Sequence, residues 1–85
     1  MKTFMYTIKN PVGLHARHAG LLVKEASRYE SAVTVSKGEK TANGKGVLSL
    51  MGLGIRQGDV ITVTVDGSDE DEAVPQLKAF LWTHF

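Results

Sequence analysis

Two hydrophobic rhythms alternate along this chain, and their order is what most narrows its fold. Phe4, Tyr6 and Ile8 alternate with Thr3, Met5 and Thr7, the period-two pattern of a half-buried strand. Pro11 and Gly13 in "NPVG" then break the run, since both are turn formers. From Ala16 the spacing lengthens: Ala16, Ala19, Leu22, Val23, Ala26 and Tyr29 recur at three- and four-residue steps and mark one apolar face of a helix. Period two returns in "AVTVS", with Val33 and Val35 on one face. "KGE" is a turn signal, and "KTAN" can pair back through it as a short third strand. "VITVTV" is the clearest strand, with Ile61, Val63 and Val65 facing one way.

Two stretches are harder to read. Four glycines between Gly44 and Ile55 argue against a long helix. Val47, Leu48, Leu50, Met51 and Leu53 still suit one or two helical turns, with Gly52 or Gly54 as the C-terminal stop. After the last strand, Ser68 stands three residues before Asp71, a capping-box-like signature that predicts a helix start at Ser68. Asp69, Glu70, Asp71 and Glu72 load its first turn with negative charge, which suits the helix dipole. Pro75 then predicts either a later start or a bent first turn. The order βαββαβα, with short strands and short connections, predicts an antiparallel sheet in a two-layer α+β sandwich, its two longer helices covering one face.

An 85-residue chain predicts one domain, residues 1–85. A domain of that size buries only about 60% of its unfolded surface, so chemistry is expected on the surface rather than in a large cavity. The absence of cysteine excludes disulfides, thiolate metal sites and thiol nucleophiles. No apolar run approaches the ~20 residues of a membrane span, and "MKTFMYTIKN" lacks the apolar core of a signal peptide. These features predict a cytoplasmic protein without direct membrane insertion. A net charge of +1, with scattered basic residues, gives no basis for a nucleic-acid partner.

The stretch "GLHARHAG", Gly13 to Gly20, concentrates the chemistry. Gly13 lets the backbone bend, and His15 falls at or just before a helix N-terminus. The amides that follow lack intrahelical partners, and the helix dipole adds partial positive charge, which together make an anion site. Arg17 adds a guanidinium able to grip phosphate oxygens in pairs. A histidine in water titrates at pH ~6.5, so a good share of it is neutral and nucleophilic at neutral pH. A nucleophilic imidazole, free amides and an arginine are what a phosphoryl relay requires. On chemistry alone, a histidine here is more simply read as a cap or surface residue.

The motif is more specific than its chemistry. "GLHAR" after a first strand, then "KGVLSLMGLGI", then "GD" and a Val/Ile/Thr strand, resemble the HPr family, the histidine-containing phosphocarriers of the bacterial phosphoenolpyruvate-dependent sugar phosphotransferase system. The resemblance runs from the first strand to the last helix. It implies a four-stranded antiparallel sheet with three helices on one side. It implies a phosphorylated Nδ1 on His15, with Arg17 beside the phosphate and Ala16, Arg17 and His18 binding it. It implies a carrier and not a turnover enzyme, working without a cofactor. Its partners would be enzyme I, which supplies the phosphoryl group, and a sugar-specific enzyme IIA, which takes it onto a histidine. Both would dock on one surface: Leu14, Gly20, Leu21 and Lys24 around the first helix, and Val47, Leu48, Leu50, Met51 and Leu53 around the middle one. Some of these apolar residues are expected in the core instead. A monomer is expected of a mobile carrier.

The sequence departs from the family pattern at two places that bear on function. His18 stands where the family has proline, a residue suited to a first helical turn. It can hydrogen-bond a phosphate, shift the titration of His15 or do nothing, the last being the simplest reading. Lys45–Gly46 stands where many Gram-positive carriers have Lys-Ser, the serine being a kinase target. Glycine has no hydroxyl, so that control is expected to be absent; Ser49 is out of register. Two other readings stay in view. One is a paralogue that regulates by binding proteins. The other is a metal held by His15 and His18, which lacks the four protein ligands of a structural zinc site.

Overall fold

A computed structural model describes every residue from Met1 to Phe85. The elements follow in the order β1 (Lys2–Thr7), α1 (Ala16–Ala26), β2 (Ala32–Lys37), β3 (Lys40–Asn43), α2 (Val47–Met51), β4 (Val60–Asp66) and α3 (Glu70–His84). The four strands form one sheet in the order β1-β4-β2-β3, and every neighbouring pair is antiparallel. "VITVTV", the strongest strand signal, thus lies inside the sheet as β4, paired on both edges.

The register explains the alternation. Phe4 lies opposite Val63, Val63 opposite Val35, and Val35 opposite Ala42, so one buried row crosses all four strands. Ile61, Val65 and Val33 extend that face. One residue over, Met5, Thr62, Ser36 and Thr41 form a row on the other face, where Met5 is exposed. The helices cover the apolar side: α1 buries Ala19, Leu22 and Ala26, α2 buries Leu50, and α3 buries Ala73, Leu77 and Leu81. All of these belong to one hydrophobic cluster.

Two local expectations change. First, α1 ends at Ala26, and Tyr29 lies beyond it with its buried ring reaching back to Glu25, Oη donating to Oε2 at 2.9 Å. Second, α3 is capped at Asp69 and not at Ser68. The Ser68 hydroxyl donates to Glu30 at 3.2 Å, while the Gly67 amide donates to Glu70 at 3.1 Å, so only the reciprocal half of a capping-box pattern forms, one residue earlier than the Ser68–Asp71 pair. The Asp69 carboxylate does not cap its own helix. It accepts from the Glu30 and Ser31 amides at 2.8 and 3.0 Å and from the Ser31 hydroxyl, tying α3 to the start of β2. Pro75 lies inside the helix, whose start at Glu70, later than Ser68, is one of the two outcomes expected of it. The carbonyl that loses its amide partner belongs to Asp71, which is exposed, so water can satisfy it.

Candidate functional site: the start of the first helix

The turn that delivers His15 is held at both ends. Asn10 closes it through side chain and backbone: its Oδ1 accepts from the Val12 amide at 3.2 Å, its Nδ2 donates to the Gly13 carbonyl at 2.9 Å, and its own carbonyl accepts from the Gly13 amide at 3.1 Å. Gly13 sits at φ +68°, in the left-handed region that favours glycine. Leu14 then donates its amide to the Ile55 carbonyl at 3.1 Å, which docks the turn on the loop after α2. That loop is itself fixed, with the Arg56 amide on Asp59 at 2.8 Å and the Gly58 amide on the Ile8 carbonyl at 2.8 Å. The role of Asn10 escaped the sequence reading, although Asn-Pro at a strand end is an Asx-turn signal.

His15 is the N-cap of α1, with φ −98° and ψ −174°, and its side chain is exposed without capping its own helix. Its carbonyl accepts the first helical hydrogen bond, from the Ala19 amide at 2.8 Å. The amides of Ala16, Arg17 and His18 therefore have no acceptor in the protein, as expected of a first turn. Arg17 is exposed, and its guanidinium makes no ion pair. No acidic residue lies in the first turn to compete for the helix end. The structure thus gathers an exposed imidazole, three free amides and an unpaired guanidinium on an open surface without a pocket.

His18 is less isolated than a residue without a role would be. Its ring meets the His15 ring edge-on, with centroids 4.7 Å apart and planes at 89°, and its other side lies against Phe85 at 5.4 Å. The Nδ1 atom of His18 is closed off from water and has no hydrogen-bond partner. Burial lowers its pKa from the ordinary histidine value, and the positive charges of His15, Arg17 and His84 act in the same direction. No group of three His, Asp or Glu side chains is placed to hold a metal ion.

The apolar residues named for docking divide into two sets. Leu14, Leu50 and Leu53 belong to the core and present no side chain for docking. Leu50 lies beneath α2, Leu53 follows it, and Leu14 is the residue docked by Ile55. Leu48 and Met51 stand out on the surface, Leu48 with 84% of its area exposed. Val47 and Leu21 are half-buried, Lys24 is exposed, and Gly20 is partly open with free space where a Cβ would be. α1 packs on α2, so the helix that carries Gly20, Leu21 and Lys24 lies beside the one that carries Val47, Leu48 and Met51.

Comparison with known proteins decides the family. The family model "PTS HPr component phosphorylation site" matches residues 2–82. The chain belongs to the HPr family. It is 46% identical over 82 residues to the phosphocarrier protein HPr of Mycoplasma genitalium, covering 95% of this chain and 93% of that one. It superposes on HPr-C-His from Thermoanaerobacter tengcongensis with a TM-score of 0.93 and 40% identity, covering 100% and 96% of the two chains. It is also 42% identical over 74 residues to the HPr-like protein Crh of Halalkalibacterium halodurans, covering 87% and 88%. Within the HPr frame, Gly46 is the N-cap of α2, its carbonyl accepting from the Leu50 amide at 3.0 Å. A side chain would fit there, because a Cβ would meet nothing closer than Ser49 Oγ at 3.4 Å. The missing hydroxyl is thus not imposed by lack of space.

Proposed function

We propose that this chain is the phosphocarrier of a sugar phosphotransferase system, with enzyme I as donor and a histidine of an enzyme IIA as acceptor. The observation that carries this reading is the exposed imidazole of His15 at a helix start whose three amides are free. The Nδ1 lone pair of the Nε2-protonated ring bonds to phosphorus as the bond between phosphorus and the donor's nitrogen breaks. The donor keeps that electron pair, and the Nε2 proton stays on His15. The first-turn amides and the Arg17 guanidinium then face the phosphoryl oxygens, and the helix end supports their charge. In onward transfer a histidine nitrogen of enzyme IIA bonds to phosphorus as the bond to His15 Nδ1 breaks and Nδ1 keeps the electron pair, so the protein is a relay and not a turnover enzyme.

The docking face consists of Gly20, Leu21, Lys24, Val47, Leu48 and Met51 around His15 and Arg17. A small exposed apolar patch beside an open site suits weak, rapidly exchanged complexes. The cytoplasmic side of the membrane is where such a carrier works, and no helix here is long and apolar enough to cross a membrane. The test is intact mass after incubation with phosphoenolpyruvate and enzyme I, on wild type and His15→Ala. One acid-labile phosphoryl group on wild type and none on the variant is the expected result. An unmodified wild type, beside a standard carrier that the same enzyme charges, would overturn it in favour of a regulatory binding role like that of a paralogue.

A further inference from the structure

His18 is the site residue that the carrier reading does not use through its side chain. Its ring contacts are built from two distant parts of the chain, His15 on one side and Phe85 on the other. Around it stand His15 and Arg17 from the start of its own helix and His84 from α3, whose positive charges all oppose a charge on His18. With Nδ1 closed off and unpartnered, a doubly protonated ring would hold a buried N–H without an acceptor. The neutral Nε2–H tautomer places only a lone pair there, which is the cheaper arrangement. The unphosphorylated site therefore keeps His18 neutral.

We infer that His18 is a phosphate-responsive proton acceptor: when His15 carries the phosphoryl group, its negative charge offsets the cost of a second N–H at Nδ1, and His18 takes a proton from solvent to become an imidazolium beside the phosphohistidine. The inference rests on the carrier reading for its setting and deepens it. With its Nε2 proton kept, phosphorylated His15 carries about one net negative charge, two on the phosphoryl oxygens offset by one positive on the ring. Bonded to a ring 4.7 Å away, the phosphoryl group lies within roughly 4–7 Å of His18. At an effective dielectric of ~40 that net charge raises a neighbouring titration by about one pH unit. His18 is then the positioning and charge-balancing residue that the family's proline cannot be. Charging of His15 becomes proton-linked: the phosphorylated protein binds the extra proton, so phosphorylation grows more favourable as pH falls through the window between the two His18 midpoints.

The experiment follows the three histidines by heteronuclear NMR across pH in the full chain, unphosphorylated and phosphorylated. Two donors are used, enzyme I with phosphoenolpyruvate and, separately, the small-molecule donor phosphoramidate. Phosphorus NMR verifies the modified ring. The His18 midpoint is expected to rise by about 1 pH unit on phosphorylation of His15. His18→Asn, which keeps a planar polar side chain without titrating, should flatten the pH dependence of the phosphorylation equilibrium by about tenfold across the window for each pH unit that separates the two midpoints. A His18 midpoint that falls or stays within about 0.3 pH unit would overturn the inference, as would modification of His18 in place of His15. Should enzyme I fail while phosphoramidate modifies His15, the carrier reading falls, and the His18 midpoint still decides for or against the proton acceptor. Should neither donor modify His15, both fall.

Discussion

Gly13→Ala tests whether the backbone, and not only the residues of the motif, makes the site. At φ +68° an alanine is strained by about 1–2 kcal/mol. Its Cβ would also collide with the Ile55 carbonyl oxygen and stand 2.9 Å from Arg56 Cα, and both obstacles are backbone. The turn must therefore lift off the loop, which removes the 3.1 Å hydrogen bond from Leu14 to Ile55, a further loss of about 1 kcal/mol. The sum is about 3 kcal/mol, against a total of about 4–13 kcal/mol for 85 residues. Urea unfolding followed by far-UV circular dichroism should show a midpoint lower by roughly 2–3 M. Phosphoryl uptake should slow as well, since a shift of ~1 Å at a reacting group can reduce rate about a hundredfold. Gly20→Ala is the matched control: it lies in α1 with nothing near its Cβ position, so it should stabilise by about 0.5–1 kcal/mol. A Gly13→Ala midpoint within about 0.5 M of wild type would refute the account of how the turn is held.

Leu48→Ala should leave stability within about 0.5 kcal/mol and weaken partner binding in calorimetric titration, whereas Leu50→Ala should lose about 2–5 kcal/mol in urea unfolding. Asp69 is held below the ordinary carboxylate range by the Ser31 hydroxyl first and then by the Glu30 amide. Its contribution is therefore complete above its unfolded pKa near 3.8 and is lost as pH falls through the lower folded value. Asp69→Asn should make the acid limb of a urea-midpoint profile shallower. Gly46→Ser should fold normally and stabilise α2 by a few tenths of a kcal/mol as an N-cap, read from thermal melts.

The period of the apolar residues carried most of the fold because it reports burial directly. Phe4, Val35 and Ile61 lie inward for the same reason that their neighbours lie outward, and no distant information is needed to see it. The misreadings share the opposite cause. Ser68 has the right neighbours for a cap, but its helix starts one residue later because the Asp69 carboxylate is engaged by Glu30 and Ser31 across 38 or more positions of sequence. Leu50 and Leu48 are two residues apart on a helix of five, so they point to different sides, and composition cannot say which side meets the core.

The site divides along the same line. His15, Arg17 and the free amides lie within one turn, and local sequence places them together. What holds them comes from elsewhere: Ile55 beneath Gly13, and Phe85 behind His18. The contact with Phe85 joins positions at opposite ends of the chain. Its consequence is chemical, because an imidazole pressed between two rings, with one nitrogen closed off from water, titrates differently from one that caps a helix in solvent. The identity of residue 18 is therefore a local fact and its charge state a tertiary one. A substitution at Phe85 that opens Nδ1 to water should move the His18 midpoint back toward the ordinary histidine value, although it touches neither the phosphate-binding amides nor His15.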